Sequence, residues 1–205
     1  MRTIVPLLAL GLLACATTPP PPPAKLPDYP GALTSPSSHP GSFLRRQKLT
    51  AHYGDQTQSF EAVLQKKGDV LTLIGLTPFG TRAFVLEQNG LEVKFTSYIG
   101  DIPFPPRYIL QDIERVYFDG LTADVATLAD GEHVAERDGE RIREVWRGGR
   151  LQQRDFTRLA NDPPGVMSIV YQGGMADGTS PPEIDIDNAW VGYRLSIVTL
   201  SEQRL

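Results

Sequence analysis

Residues 69–95 read DVLTLIGLTPFGTRAFVLEQNGLEVKF, and the period of their side chains decides the fold. Leu71 and Leu73 alternate with Val70, Thr72 and Ile74, so a strand here is apolar on both faces, the pattern of a sheet covered on both sides. Thr77-Pro78-Phe79-Gly80 supplies turn chemistry, with Pro fixing φ and Gly permitting φ > 0. An aromatic ring at the tip of such a turn is out of place. Arg82, Phe84 and Leu86 then alternate with Ala83, Val85 and Glu87, and Asn89-Gly90 signals a tight type I′ hairpin. In the third strand Leu91, Val93 and Phe95 face one way while Glu92, Lys94 and Thr96 face the other. The stretch is an antiparallel meander.

The same alternation extends in both directions. Upstream, Leu49, Ala51 and Tyr53 alternate with Lys48, Thr50 and His52. After Gly54-Asp55 a second strand carries Phe60, Ala62 and Leu64, and Lys67-Gly68-Asp69 turns into the meander. Downstream, a proline-rich crossing from Tyr98 to Pro106 precedes a change of period. Ile109, Ile113, Val116 and Tyr117 recur at helical spacing. Leu121, Val125 and Leu128 predict a second, shorter helix, stopped by Asp130-Gly131. Strands resume over 142–146 and 151–156, where alternation is poor. They continue through Met167, Ile169 and Tyr171, through Ile184 and Ile186, and through a last strand bearing Val191, Tyr193, Leu195 and Ile197. The expected fold is mainly β with a helical insertion (α+β): a curved antiparallel sheet under a helical lid.

The chain has 205 residues, 21% of them charged, with 20 basic and 24 acidic side chains. This mildly acidic balance argues against nucleic acid as a partner. Met1 to Cys15 has one early positive charge, Arg2, and an apolar run, Ile4 to Leu13, too short to span a bilayer. It reads as a signal peptide. Its end, Leu12-Leu13-Ala14-Cys15, resembles the lipobox of bacterial lipoproteins, with Leu13 bulkier than usual at its position, and that resemblance implies lipidation of Cys15. The residue after the cysteine is Ala16. In the lipoproteins this resembles, an aspartate there favours inner-membrane retention, so its absence implies the outer membrane. Residues 16–42 are rich in proline and favour polyproline II, the composition of a tether. The folded domain is expected over 43–205, long enough to bury roughly 70% of its unfolded surface.

Cys15 is the only cysteine, which excludes an intrachain disulfide and a Cys/His nucleophile in the folded part. The three histidines, His39, His52 and His133, lie in the tether, on a polar strand face and after a turn. No serine occupies a Gly-x-Ser-x-Gly elbow, and no phosphate loop or dinucleotide fingerprint occurs. Glu183, Asp185 and Asp187 share a strand face but lack the loop and glycine of a calcium site, and read as a solvated face. Trp146 and Trp190 read as packing residues. No enzyme, metal or cofactor is expected.

The segment 71–95, with its apolar strand, Thr77-Pro78-Phe79-Gly80 turn and alternating return strands, resembles the corresponding part of LolB-like lipoproteins in the LolA/LolB superfamily. Ile102-Pro103-Phe104-Pro105 before a helix, and the ending Val191-Gly192-Tyr193-Arg194-Leu195-Ser196-Ile197, extend the likeness over most of 43–205. The resemblance implies an incomplete β-barrel covered by helices, with an apolar cavity that binds acyl chains. It implies Leu73, Phe84, Phe95, Ile109 and Ile113 as acyl-cavity candidates, and Pro78, Phe79 and Gly80 as a membrane-delivery loop whose apolar tip hands cargo to the bilayer. The implied partners are a lipid or the acyl chain of a lipoprotein, the outer membrane, and a LolA-like periplasmic carrier as donor. The protein would act as a periplasm-facing, lipid-anchored monomer in lipoprotein or lipid localisation. Two alternatives stay open: an accessory lipoprotein of a dedicated lipid-product export pathway, and an envelope interaction module whose core is filled by side chains.

Overall fold

A computed structural model describes residues 28–100, 105–121, 129–176 and 179–205. Among these residues eleven strands form one sheet: β1 (Phe43–Tyr53), β2 (Gln56–Lys67), β3 (Val70–Leu76), β4 (Arg82–Asn89), β5 (Glu92–Ser97), β6 (Gly131–Arg137), β7 (Glu140–Arg147), β8 (Arg150–Arg158), β9 (Val166–Met175), β10 (Glu183–Asn188) and β11 (Tyr193–Arg204). The order is β5-β4-β3-β2-β1-β11-β10-β9-β8-β7-β6. Each neighbouring pair is antiparallel. The sheet is therefore two meanders sewn together at β1 and β11, where Phe43 lies opposite Arg204 and Tyr53 opposite Tyr193. It does not close, since β5 and β6 remain edges.

Those edges are consecutive in sequence yet at opposite ends of the sheet, so no hairpin can join them. The connection carries helix α1 (Pro106–Tyr117) across the buried face instead. Pro105 and Pro106 pre-set the backbone of the first turn, a position where a missing N–H costs nothing. At the other end Phe118 and Asp119 both donate backbone N–H groups to the Glu114 carbonyl. Two carbonyls of the last turn, which no intrahelical donor reaches, are taken by the sheet: Arg154 donates to Arg115 O at 2.7 Å and Tyr171 to Val116 O at 2.8 Å.

The meander from β3 to β5 follows its sequence pattern. On β3, Leu71, Leu73 and Gly75 are buried while Val70, Thr72, Ile74 and Leu76 are half-buried, so neither face is fully wetted. Between β4 and β5, Asn89 pairs with Glu92, so the two turn residues are Gly90, at φ +58°, and an exposed Leu91. With neither Asn89 nor Leu91 at positive φ the turn is tight but not the expected type I′ turn, and Leu91 is not part of the apolar strand face. The poor alternation over 140–158 has a physical cause. On β7 the buried row is Glu140, Ile142, Glu144 and Trp146, two acids among the apolar residues. Glu140 receives a two-pronged pair of hydrogen bonds from Arg115 of α1, both at 3.0 Å, and Glu144 receives Arg154 at 2.7 Å and the Trp146 indole at 2.9 Å. Removing one member of such a buried pair strands the other charge, at a cost of about 3–5 kcal/mol.

Three expectations change. The helical cover is a single helix among the described residues, so "covered by helices" overstates it; the second helix, predicted around Leu121, Val125 and Leu128, falls on 122–128, outside the described residues. β6 was not foreseen, because GEHVAER has an almost wholly exposed side-chain row, as suits a charged edge. The tether also does not extend to residue 42. Residues 28–41 form a strap packed on the domain, in which Tyr29 is buried beside Trp190 and Tyr108. Its backbone carbonyls, free for lack of a strand partner, are taken by side chains. Pro30 O accepts from Gln111 and Arg115, Gly31 O from Gln111, Thr34 O from Gln88, and Gly41 O from Lys66. Thr34 donates its N–H and hydroxyl to Glu114, and His39 stacks on Phe118 at 4.3 Å. Sheet on one side and strap on the other explain why Gln111, Glu114 and Arg115 of α1 are buried.

Candidate functional site

Between α1 and the first meander the core does not fill. A cavity of about 570 Å³ is lined by residues of β1–β4, β10, β11 and α1, among them Leu49, Phe60, Leu64, Leu73, Ile113 and Ile197. This volume falls in the roughly 300–1,000 Å³ range of small-molecule sites. Walls drawn from both meanders around one helix require the sheet to curl about α1. Leu76, Thr77 and Pro78 of the β3–β4 connection and Ile99 after β5 also line the cavity, and because Pro78 and Ile99 are exposed we take this end as its mouth. From Ala51 to Gln47 on β1 the cavity runs about 13 Å inward at roughly 3.3 Å per residue. Gln47 there donates to the Tyr117 hydroxyl at 2.7 Å.

Of the five cavity candidates, Leu73, Phe84, Ile109 and Ile113 line it. Phe95 does not. It lies on the same sheet face but one strand further out, on edge strand β5 opposite Leu86, its ring 6.0 Å from that of Phe84, which in turn meets Phe60 at 5.9 Å. The Phe84 ring lies across Gly75, its register partner on β3. A Cβ at Gly75 would fall 2.2 Å from Phe84 Cε1. Gly75 is thus a packing glycine, which makes room for the aromatic wall.

The delivery-loop candidates sit at the mouth. Thr77 N–H donates to Thr81 O at 2.8 Å and Gly80 N–H to Thr77 O at 2.9 Å, while Gly80 adopts φ +77°. The turn is therefore closed on itself. Phe79 at its tip is 93% exposed, and Ile99 and Tyr98 nearby are 64% and 58% exposed. Exposed singly such residues are ordinary; of the three, Ile99 also lines the cavity. Cys15 lies outside the described residues.

One polar group of the cavity was missed by the sequence reading. Asp112, on the α1 wall, accepts the Tyr29 hydroxyl on Oδ1 and the Tyr193 hydroxyl on Oδ2. Asn188 orients both phenols by donating to their oxygens at 3.2 and 3.1 Å. Burial raises the Asp112 pKa to about 6 against the opposing pull of these hydroxyls and of Arg115. Tyr29 and Tyr193 are both pushed well above the usual phenol range, first by burial and then by the Asp112 charge. The spacing of Ile109, Ile113 and Val116 pointed to the helix face, but an acid one residue before Ile113 carries no periodic signal. Elsewhere, Glu183 and Asp185 accept from Ser196 and Gln172, both at 3.0 Å, and both tryptophans are buried. No cluster of possible metal ligands occurs among the described residues.

The sequence pattern of the family described as "Protein of unknown function (DUF3261)" matches residues 44–201. This chain belongs to that family. The match runs from β1 into β11, so the DUF3261 unit includes residues of every strand and all those that line the cavity. The family match does not assign the LolB group specifically. No curated protein matches this DUF3261 chain. It is similar in structure to a LolA superfamily protein from Nitrosomonas europaea, at 10% identity, with 80% of this chain and 86% of that one covered and a TM-score of 0.46. It is similar also to a DUF1329 family protein from Desulfovibrio piger, at 12% identity, 80% and 85% coverage and a TM-score of 0.45. A third structure, of a proposed outer membrane lipoprotein-sorting protein domain from Vibrio parahaemolyticus, is 9% identical, with 80% and 85% coverage and a TM-score of 0.40.

Proposed function

We propose that this protein is a non-enzymatic, lipid-anchored binding protein of the outer membrane that holds an acyl chain in the cavity and passes a lipoprotein or lipid to the bilayer. The observation that carries the reading is an apolar cavity whose mouth adjoins the exposed Phe79 turn. A chain of about sixteen carbons gains roughly 12 kcal/mol on leaving water, at about 0.8 kcal/mol per methylene, so a carrier must enclose it. A filled interior, the requirement of the interaction-module alternative, is not what the first meander presents. Cys15 supplies the anchor in this reading, and Leu73, Phe84, Ile109 and Ile113 supply the walls.

The test is saturable binding of a fluorescent fatty acid to the full chain carrying Cys15→Ala, so that no acyl group of its own competes. Ile113→Glu, which places a charge in the wall, abolishes binding while the β spectrum is kept. Absence of saturable binding by the Cys15→Ala chain overturns the proposal.

A further inference from the structure

The cavity has a chemical polarity that a plain acyl-chain site does not need. Each Asp112 oxygen accepts one tyrosine hydroxyl, and a carboxylate offers about four acceptor sites in all. Acceptor capacity is therefore left on a group that lines the cavity. The nearest cation by charge effect, Arg115, spends its hydrogen bonds on Glu140 and Pro30 O. No described lysine, arginine or histidine forms an ion pair with Asp112, and none lines the cavity. The Tyr193 hydroxyl donates to Asp112, and the Tyr29 hydroxyl lies between Asp112 and the weaker acceptor Met167 Sδ at 3.3 Å, so neither phenol has a proton directed at the cavity and the cluster presents an acceptor face to whatever occupies the space.

We infer that Asp112 is a head-group selector: the cavity takes single-chain amphiphiles whose head bears a hydrogen-bond donor, such as an ammonium, hydroxyl or amide N–H, and rejects anionic heads. An amide-linked or hydroxylated acyl chain meets this rule; a free carboxylate does not, because it brings a like charge with no cation to offset it. Tyr29 and Tyr193 are positioning residues that hold the carboxylate toward the cavity. This inference rests on the acyl-binding reading and adds the class of ligand.

The experiment uses the full chain with Cys15→Ala at neutral pH, with dodecylamine, 1-dodecanol and dodecanoate each displacing a neutral fluorescent long-chain probe. One charge-assisted hydrogen bond corresponds to about tenfold or more in affinity, so the amine is expected to bind at least about tenfold more tightly than dodecanoate, with the alcohol between them. Asp112→Asn, which is isosteric, reduces the gap to about twofold or less. Equal affinity for amine and carboxylate in the Asp112-containing chain overturns the inference while leaving acyl binding intact, and needs no variant to fold. A gap that persists in Asp112→Asn overturns it as well. Failure of all three compounds and the probe to bind removes the acyl-binding reading itself.

Discussion

Phe79→Glu separates delivery from folding. The ring is 93% exposed and closes no contact in the turn, whose geometry is held by Thr77, Gly80 and Thr81 backbone bonds. Its replacement therefore changes unfolding free energy by no more than about 0.5 kcal/mol, the usual bound for surface positions. Nor does Phe79 line the cavity, so cargo affinity stays within about twofold. At a bilayer the same ring has apolar surface to bury, contributing about 1.5–3 kcal/mol if it inserts fully. At about 1.4 kcal/mol per decade, losing this contact slows transfer about 10- to 100-fold. The assay is stopped-flow transfer of a fluorescent acyl cargo from the protein to liposomes, read beside thermal melting and equilibrium binding. Phe79→Leu keeps an apolar tip and transfers within a few-fold of the parent rate. A large fall in melting temperature for Phe79→Glu, or an unchanged transfer rate, refutes the reasoning.

Three further outcomes are expected. If Cys15 carries the anchor, Cys15→Ala with its signal cleaved moves from the membrane to the soluble fraction on fractionation, since several acyl chains at about 0.8 kcal/mol per buried methylene would be lost; tight membrane retention of that cleaved variant rejects the anchor. Gly75→Ala forces the Phe84 ring off β3, with a destabilisation of about 1–3 kcal/mol in denaturant melts and weakened acyl binding, whereas an unchanged melt contradicts the packing role of this glycine. Asp112 has a folded-state pKa of about 6 against 3.8 when free, set among Tyr29 of the strap, Tyr193 of β11 and Arg115 of its own helix. Its contribution to stability is thus fully present below about pH 4 and lost as pH rises through about 6, at most roughly 3 kcal/mol. Measured against Asp112→Asn, the parent chain gains stability as pH falls from 7 to 5; parallel pH profiles contradict this.

The meander of β3, β4 and β5 was legible because its residues obey period two and its turns use Pro78, Gly80, Asn89 and Gly90. Helix α1 was legible from Ile109, Ile113 and Val116, and four of five proposed wall residues reach the cavity. Long-range pairing of polar groups was not legible. Glu140 and Glu144 look like errors in a buried row until Arg115 and Arg154 arrive from other elements. Residues 28–41 look like a tether because their hold on the domain uses Tyr29 and backbone carbonyls, neither of which leaves a periodic mark. Phe95 lies on the expected face but on edge strand β5, beyond the cavity and against Phe84, since alternation assigns a face of the sheet but not how far along the sheet the empty space extends.

The pairing of β1 with β11 sets an order on the birth of the fold. β1 acquires β2 through a short turn soon after it is made, but its other edge waits for the last strand of the chain. Closing so long a loop is entropically slow, and non-local strand pairing is the slow kind of folding event. Until β11 arrives, the edge bearing Leu49 and Ala51 is open to pairing with another chain, the circumstance in which β proteins aggregate. The half-made protein is therefore open to aggregation until β11 is in place, and truncations near Arg204 are expected to act as aggregation mutants.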